Sequence, residues 1–147
     1  MKLITLLFSA CIISCLSSSC QDFKKLNDPD ADTKKIEFAQ KFADSYFTRL
    51  KNGSYYQFQD EAIDILKNQL TEEAQKTIYQ QLKGQFGDFQ SLKYAETWIQ
   101  DGNASTQIYR FKSDFDKSNK KIEIRIVLNE TGKIAGFWIK PWSDMLK

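Results

Sequence analysis

Histidine is absent from this chain of 147 residues, and its three cysteines are Cys11, Cys15 and Cys20. Without histidine, or any cysteine after Cys20, neither a Ser-His-Asp nor a Cys-His nucleophilic system can form. Zinc sites are built mostly from histidine and cysteine, so we expect no metal and no other cofactor. A domain that follows Cys20 has no disulfides and depends on its hydrophobic core. We therefore do not expect an enzyme.

An excess of either charge is also absent. The chain has 21 lysines and arginines and 19 aspartates and glutamates, which gives a formal net charge of +2. Loss of Lys2 with a cleaved signal would lower this charge to about +1. Such a balance provides neither the basic footprint of a nucleic-acid-binding protein nor a polybasic patch for anionic lipid. We therefore expect no nucleic-acid partner.

The one long apolar run is at the start of the chain, from Leu3 to Leu16. Lys2 precedes this run, and Ser17-Ser18-Ser19-Cys20 follows it. A positive start, an apolar stretch and small residues before a cleavage point form an export signal. The run has 14 residues, whereas a membrane-spanning helix needs roughly 20. We therefore expect residues 1–19 to be a signal peptide rather than a retained membrane span.

The serine-rich segment before Cys20 resembles the cleavage site of bacterial lipoproteins, in which the cysteine after the cut is acylated. Cys15 is the alternative acylation site, whereas Cys11 leaves too short an apolar run. An ordinary secretory signal with unused cysteines is a further alternative. We favour Cys20 because the chain becomes polar directly after it. Each acyl methylene contributes about 0.8 kcal/mol when buried, so a multiply acylated cysteine is a durable membrane anchor.

The rest of the chain divides into a tether and one domain. Residues 20–33 are mostly polar and contain Pro29, which predicts a flexible tether. Residues 34–147 are the right size for a single domain.

Helical periodicity comes first in this domain and strand periodicity comes last. Apolar residues recur at three- and four-residue steps from about Lys34 to Lys51, which predicts an amphipathic helix that Asp32 or Thr33 can cap. We predict a second, broken helix from about Ser54 to Asn68, and a third between its cap Thr71 and the glycines Gly84 and Gly87. The apolar period then changes to two, which predicts four strands at Phe89–Ile99, Ser105–Ser113, Lys121–Leu128 and Lys133–Lys140.

The order of these elements predicts an α+β fold, with the N-terminal helices packed on one face of a four-stranded antiparallel sheet. The third strand alternates Ile122, Ile124 and Ile126 with charged residues, as expected for a strand with one polar face. The last strand is apolar or small at both alternating sets from Ile134 to Ile139. We therefore expect both of its faces to be covered.

Two segments resemble a bacterial family known as domain of unknown function 3887. They are Phe86-Gly87-x-Phe89, and the closing Asn129-Glu-Thr-Gly-Lys-Ile-Ala-Gly-Phe-Trp-Ile-Lys-Pro141. The resemblance covers roughly residues 36–141. It implies a cone-like fold of the cystatin-like or nuclear-transport-factor-two-like kind, with helices on a curved sheet that encloses a pocket. It implies no activity, because none is established for the family.

Aromatic residues on the predicted strands are the candidates for ligand binding. They are Tyr94, Trp98, Tyr109, Phe137 and Trp138, together with Phe111. Core packing is the more frequent use of aromatics at strand spacing and is the alternative interpretation. Asp60, Glu61 and Asp64 form an acidic cluster that could do acid–base work or bind a hard cation, but a solvated helix face is the favoured interpretation. Trp142 either forms a contact surface or folds back to cap the sheet edge.

The anchor, the two-sided last strand and the missing catalytic residues favour a non-catalytic, membrane-tethered binding domain in the bacterial envelope. We expect the outer membrane as its location, with the leaflet left open. The expected partners are the membrane, through the lipid anchor, and a small molecule or an envelope protein; a homodimer through the sheet face is also considered. The alternatives are an enzyme that uses cavity carboxylates or tyrosines, and an immunity lipoprotein that neutralises a toxin.

Overall fold

A computed structural model of the protein describes residues 23–27, 31–100 and 103–146. The expected signal peptide and both candidate acylation sites, Cys15 and Cys20, lie outside the described residues. None of the described helices is long and apolar enough to cross a membrane.

The fold is α+β, with three helices and five strands in the described residues. The helices are α1 (Thr33–Lys51), α2 (Asp64–Gln69) and α3 (Glu72–Phe86). The strands are β1 (Phe23–Lys25), β2 (Phe89–Gln100), β3 (Asn103–Phe115), β4 (Ile122–Leu128) and β5 (Ile134–Pro141). They form one open sheet in the order β1-β2-β3-β4-β5, and every neighbouring pair is antiparallel. The four predicted strands are confirmed, with ends that differ by one or two residues.

Both long helices begin at capping side chains that the sequence indicates. The Asp32 carboxylate accepts hydrogen bonds from the backbone N–H groups of Lys34 and Lys35, at 3.0 and 3.2 Å. The Thr71 hydroxyl accepts one from Ala74 N–H at 3.3 Å. These bonds satisfy backbone donors that the first helical turn leaves without a partner. Gly84 lies inside α3, so Gly87 alone ends the helix.

Two local predictions are wrong. Four strands were expected, but a fifth strand, β1, lies within the expected tether, where backbone pairing with β2 holds it. The broken helix expected from Ser54 contains only α2, because the preceding chain pairs with β5 instead. Ile134 N–H donates to Glu61 O at 2.8 Å, and Ile63 N–H donates to Ile134 O at 3.0 Å. This pairing requires extended backbone around Ala62, so the helix cannot start earlier.

The core lies between the helices and one face of the sheet, which we call the inner face. Two adjacent rings of α1 reach different strands: Phe47 lies 5.4 Å from Phe89 on β2, and Tyr46 lies 5.0 Å from Phe137 on β5, between ring centroids. The Phe86 ring of α3 lies 6.1 Å from that of Phe115 on β3. Burial of such large side chains contributes roughly 1.5–3 kcal/mol each. The absence of cysteine after Cys20 is therefore offset by an aromatic core.

Gly87 joins α3 to β2 at a position that has no room for a side chain. Its φ is +89°, and a Cβ there would lie 1.9 Å from Asp116 Oδ1 and 2.7 Å from Lys117 N. We expect Gly87→Ala to lower the free energy of unfolding by more than about 2 kcal/mol, because left-handed strain and a steric clash combine. Gly53→Ala is the matched control: its φ is +75° and nothing lies within 4 Å. Equal losses in urea unfolding would contradict the steric part of this account.

Candidate functional site

The sheet face opposite the helices, which we call the outer face, carries buried charged side chains. Cross-strand register places Glu96, Arg110, Arg125 and Trp138 in one row across β2 to β5. The neighbouring row contains Lys25, Trp98, Ile108, Val127 and Gly136. Residues in one row share a face because side chains alternate along each strand.

Arg110 lies at the centre of the outer face and is fully buried. Its Nε and Nη2 donate to the two carboxylate oxygens of Glu123 at 2.9 and 2.8 Å, so the pair is bidentate. Its Nη1 donates to Glu96, and its Nη2 also donates to the carbonyl oxygen of Ser143. The planar guanidinium matches the carboxylate geometry, which lysine cannot reproduce.

Further cations and donors surround the two carboxylates. Lys25 Nζ lies 2.6 Å from Glu96 Oε2, and Trp98 Nε1 donates to Glu96 Oε1 at 2.9 Å. Arg125 Nε donates to Glu123 Oε1 at 2.8 Å. We call Lys25, Glu96, Arg110, Glu123 and Arg125 the ion cluster. Its two carboxylates are neutralised by three cations, which is the condition for burying charge at tolerable cost.

Electrostatics keep three members of the ion cluster, Glu96, Arg110 and Glu123, in their charged forms. Burial alone would raise the pKa of Glu123, but Arg110 and Arg125 outweigh it and hold that pKa below the usual glutamate value. Burial likewise opposes ionisation of Glu96, yet hydrogen bonds from Lys25 and Trp98 and the charge of Arg110 keep its pKa low. The same carboxylates raise the pKa of Arg110 against the effect of burial. Glu96, Arg110 and Glu123 therefore all stay charged near neutral pH.

Residues 142–146, which we call the C-terminal strap, fold back over the ion cluster. The Trp142 ring lies 4.3 Å from the guanidinium carbon of Arg110 and 4.5 Å from Lys112 Nζ. Trp142 N–H donates to Lys121 O at 3.0 Å. Cation–π contacts of this kind contribute about 0.5–2 kcal/mol. Trp142 thus folds back, but its ring covers the outer face of β3 and not the sheet edge that was predicted.

The five predicted ligand-binding residues lie on opposite faces of the sheet. Tyr94, Tyr109 and Phe137 belong to the inner face and pack in or against the core. Trp98 and Trp138 belong to the outer face, as their register partners show. The Trp138 indole lies over Gly136, where an added Cβ would come within 3.0 Å of the ring. The structure therefore does not bring these five residues together in one pocket.

The inner-face hydroxyls have different surroundings. Tyr94 and Thr97 share a hydrogen bond of 2.8 Å between their hydroxyl oxygens, and Tyr109 donates to Gln107. The Tyr46 hydroxyl is buried and has no hydrogen-bond partner among the described residues. Burial raises the pKa of Tyr46 and of Tyr109 well above the usual tyrosine value. A tyrosinate nucleophile or base is therefore disfavoured at both positions.

The acidic cluster of Asp60, Glu61 and Asp64 does not form a metal site. Asp64 forms an ion pair with Lys67 at 2.8 Å, and Glu61 Oε2 accepts from the backbone of Gln59 at 2.9 Å. Nowhere in the described ranges do three or more potential histidine, cysteine or carboxylate ligands gather around one point.

Sequence reasoning missed the ion cluster. The sequence predicts that the charged residues of β4, which include Glu123 and Arg125, share one face, and the register confirms this, but the sequence does not predict that Glu123 is buried. The only local signal was Arg110, a charged residue between Tyr109 and Phe111.

Two of the comparisons with known proteins give no match, and one does. A family model described as "Protein of unknown function (DUF3887)" matches residues 43–137. This span contains Phe86-Gly87-x-Phe89 and most of the closing segment on which the resemblance rested. No curated protein matches the chain, and no solved structure does.

Arg110→Met removes the central cation while keeping side-chain volume. We expect it to lower the free energy of unfolding by about 3–5 kcal/mol at pH 7, because Glu96 and Glu123 stay buried without their shared partner. Lys112→Met, on the same face but exposed, is the control and should change it by less than about 1 kcal/mol. Chemical denaturation of both variants provides the measurement.

The pH dependence of these variants has a defined sign. Both glutamates have lowered pKa values in the folded state, so their stabilisation is present above the unfolded pKa, about 4.3, and is lost as pH falls through the folded values. The wild type should therefore lose stability on acidification. The deficit of Arg110→Met should shrink over the same range, because neutral carboxyls are easier to bury. A deficit that stays constant with pH would contradict this account.

Proposed function

The chain belongs to the DUF3887 family of proteins of unknown function, and we propose that it is a non-catalytic binding domain of the bacterial envelope. In this proposal a lipid on Cys20, or alternatively on Cys15, anchors the protein in the outer membrane. The outer face of the sheet then presents a fixed surface to an envelope protein. The observation that carries the proposal is the ion cluster, which holds Trp98 and the C-terminal strap in place on that face.

The directions of the pKa shifts support a non-catalytic role. A carboxyl that acts as a general acid needs a raised pKa. Hydrogen bonds and nearby cations instead lower the pKa values of Asp64, Asp88, Glu96 and Glu123. A tyrosine that acts as a nucleophile or base needs a lowered pKa. Burial instead raises the pKa values of Tyr46, Tyr56, Tyr79 and Tyr109.

The composition of the outer face supports a protein partner with an apolar centre and an acidic rim. Ile108 and Val127 lie between Trp98 and Trp138 and are only 6% and 9% exposed, so the two half-buried indoles provide the apolar centre. Interfaces concentrate binding free energy in such aromatic anchors, and arginine is enriched beside them. Basic residues outnumber acidic ones on this face, which favours an acidic partner surface. Leaving out the buried Glu96, Arg110 and Glu123, the basic set is Lys25, Lys93, Lys112, Arg125 and Lys140, and the acidic residue is Asp114.

We extend the proposal to a cone-like curl of the sheet, of the nuclear-transport-factor-two-like kind. The support is that neighbouring residues of α1 reach both β2 and β5. Strands lie about 4.8 Å apart in a sheet, so β2 and β5 would be about 14 Å apart if the sheet were flat. Curling of the sheet around α1 brings both strands within reach of Tyr46 and Phe47.

A small ligand on the inner face is a second candidate. Tyr46 Oη and Glu61 Oε1 are both buried atoms without a hydrogen-bond partner in the described residues. Buried polar atoms usually have partners, and a ligand is one way to provide them. The rings of Phe42, Tyr56 and Phe58 surround Tyr46 at centroid distances of 5.8 to 6.2 Å. Tyr46→Phe would weaken the binding of such a ligand and would leave the binding of a partner to the outer face unchanged.

Alanine substitutions at Trp98 and Trp138 test the leading proposal. The intact lipidated protein is used to capture partners from envelope membranes, and each captured protein is then titrated in purified form. We expect either substitution to weaken binding at least tenfold, in keeping with loss of an aromatic anchor. Ile65→Ala is the matched control, because Ile65 is a large apolar residue on α2 that is 59% exposed. Unchanged binding by folded Trp98→Ala and Trp138→Ala proteins would refute the outer-face interface.

A further inference from the structure

β1 places ordered structure very close to the expected lipid anchor. Phe23, the first residue of β1, follows Cys20 by only three positions. A fully extended chain spans about 3.3–3.6 Å per residue, so the two Cα atoms can be no more than about 11 Å apart. Because β1 lies within the expected tether of residues 20–33, only the three positions from Cys20 to Phe23 can separate the ordered domain from the lipid anchor.

Several contacts fix β1 to the rest of the sheet. Phe23 pairs with Gln100, and Lys25 pairs with Trp98. Leu26 N–H continues the ladder by donating to Thr97 O at 2.9 Å. Lys25 also forms the ion pair with Glu96, and Glu96 is bound to Arg110. An anchor at Cys20 would thus be attached to a sheet edge that is held by the ion cluster.

The surface of β1 has the chemistry of a membrane interface. Phe23 is one of the exposed large apolar side chains of the described residues, at 37% exposure. Lys24 and Lys25 follow it and are also exposed. Aromatic rings favour the boundary between headgroups and acyl chains, while lysine side chains extend their ammonium groups to the headgroups. Of the two lysines, Lys24 is outside the ion cluster, and a lysine close to an anionic lipid surface adds about 1 kcal/mol of attraction.

We propose that β1 and Gln100, the partner of Phe23 in the ladder, form a membrane-contact surface, and that its occupant is the bilayer that holds the lipid of Cys20. This inference rests on the proposed acylation of Cys20. The contact orients the domain: Gln100 lies beside the headgroups, and the turn between β3 and β4 lies at the far end. β2 runs from Gln100 to Phe89, a rise of about 37 Å at 3.4 Å per residue.

Fluorescence quenching in vesicles tests this orientation. The lipidated protein is placed in vesicles of phosphatidylethanolamine and phosphatidylglycerol that carry a headgroup-linked quencher. A fluorophore is attached at Gln100→Cys or at Asn119→Cys; Asn119 is exposed in the turn between β3 and β4. We expect at least threefold stronger quenching at position 100 than at position 119. Equal quenching at the two positions would overturn the proposed orientation.

Two further variants separate the short link from the surface chemistry. A Gly-Ser spacer of about ten residues, inserted before Phe23, adds a mean span of about 17 Å and should reduce the quenching at position 100. Phe23→Ser should also reduce it, whereas Met145→Ser, at a side chain 65% exposed on the C-terminal strap, should not. Quenching at position 100 that survives both the spacer and Phe23→Ser would overturn the proposed surface.

Mass spectrometry of the same preparation separates this inference from the function on which it rests. Acylated Cys20 together with equal quenching at the two labels overturns the contact surface alone and leaves the anchored binding domain intact. Acylation at Cys15, or no acylation, overturns the short link and with it this inference. Absence of acylation also contradicts the proposed anchor.

Discussion

The buried guanidinium of Arg110 is the interaction on which the outer face depends. It contacts Glu123 through two hydrogen bonds, Glu96 through a third and the Ser143 carbonyl through a fourth. Hydrogen bonds to charged groups are individually stronger than neutral ones, but the cost of burying the charges offsets much of that gain. We therefore expect the cluster to contribute more to fixing the positions of its residues than to net stability.

The ion cluster connects two chain segments, β1 and the C-terminal strap, that bury little apolar surface of their own. β1 has three residues, all exposed, yet it is attached through Lys25 to Glu96. The C-terminal strap has exposed residues at Asp144 and Met145, yet Trp142 and Ser143 are held against Arg110. Both ends of the described domain thus converge on one set of charges. In our proposal this convergence lets a short link to the membrane and a partner-binding face be parts of one rigid surface.

The sequence predicts those features of the fold that depend on local patterns. The caps Asp32 and Thr71 and the apolar periods of α1 and β4 identify their elements, because their signals lie within one segment. β1 is missed because cross-strand backbone bonds and one ion pair determine it, without an apolar period of its own. The early part of the second helix is wrong because backbone pairing with Ile134, far along the chain, overrides the local periodicity.

The candidate site could be predicted only in part, for a similar reason. Tyr94 and Trp98 are four residues apart and should share a face of a regular strand. A register shift between Tyr94 and Glu96 reverses the alternation, so Trp98 points to the outer face. Nothing local marks such a bulge. The burial of Glu123 is equally hidden, because only the tertiary structure brings Arg110 and the strap over it.

The most direct test of the central role of the ion cluster is amide hydrogen exchange in a variant that neutralises the buried charges of the cluster while keeping its volume. The quadruple variant Glu96→Gln, Arg110→Met, Glu123→Gln, Arg125→Met leaves only Lys25 charged, and that side chain is 54% exposed, so the core is expected to stay folded. The amides of Leu26 and Trp142 report on the two chain ends, since each donates one backbone bond, to Thr97 and Lys121. The account predicts that both exchange at least tenfold faster in the variant, while amides of β4 keep their protection. Unchanged protection at Leu26 and Trp142 would contradict it.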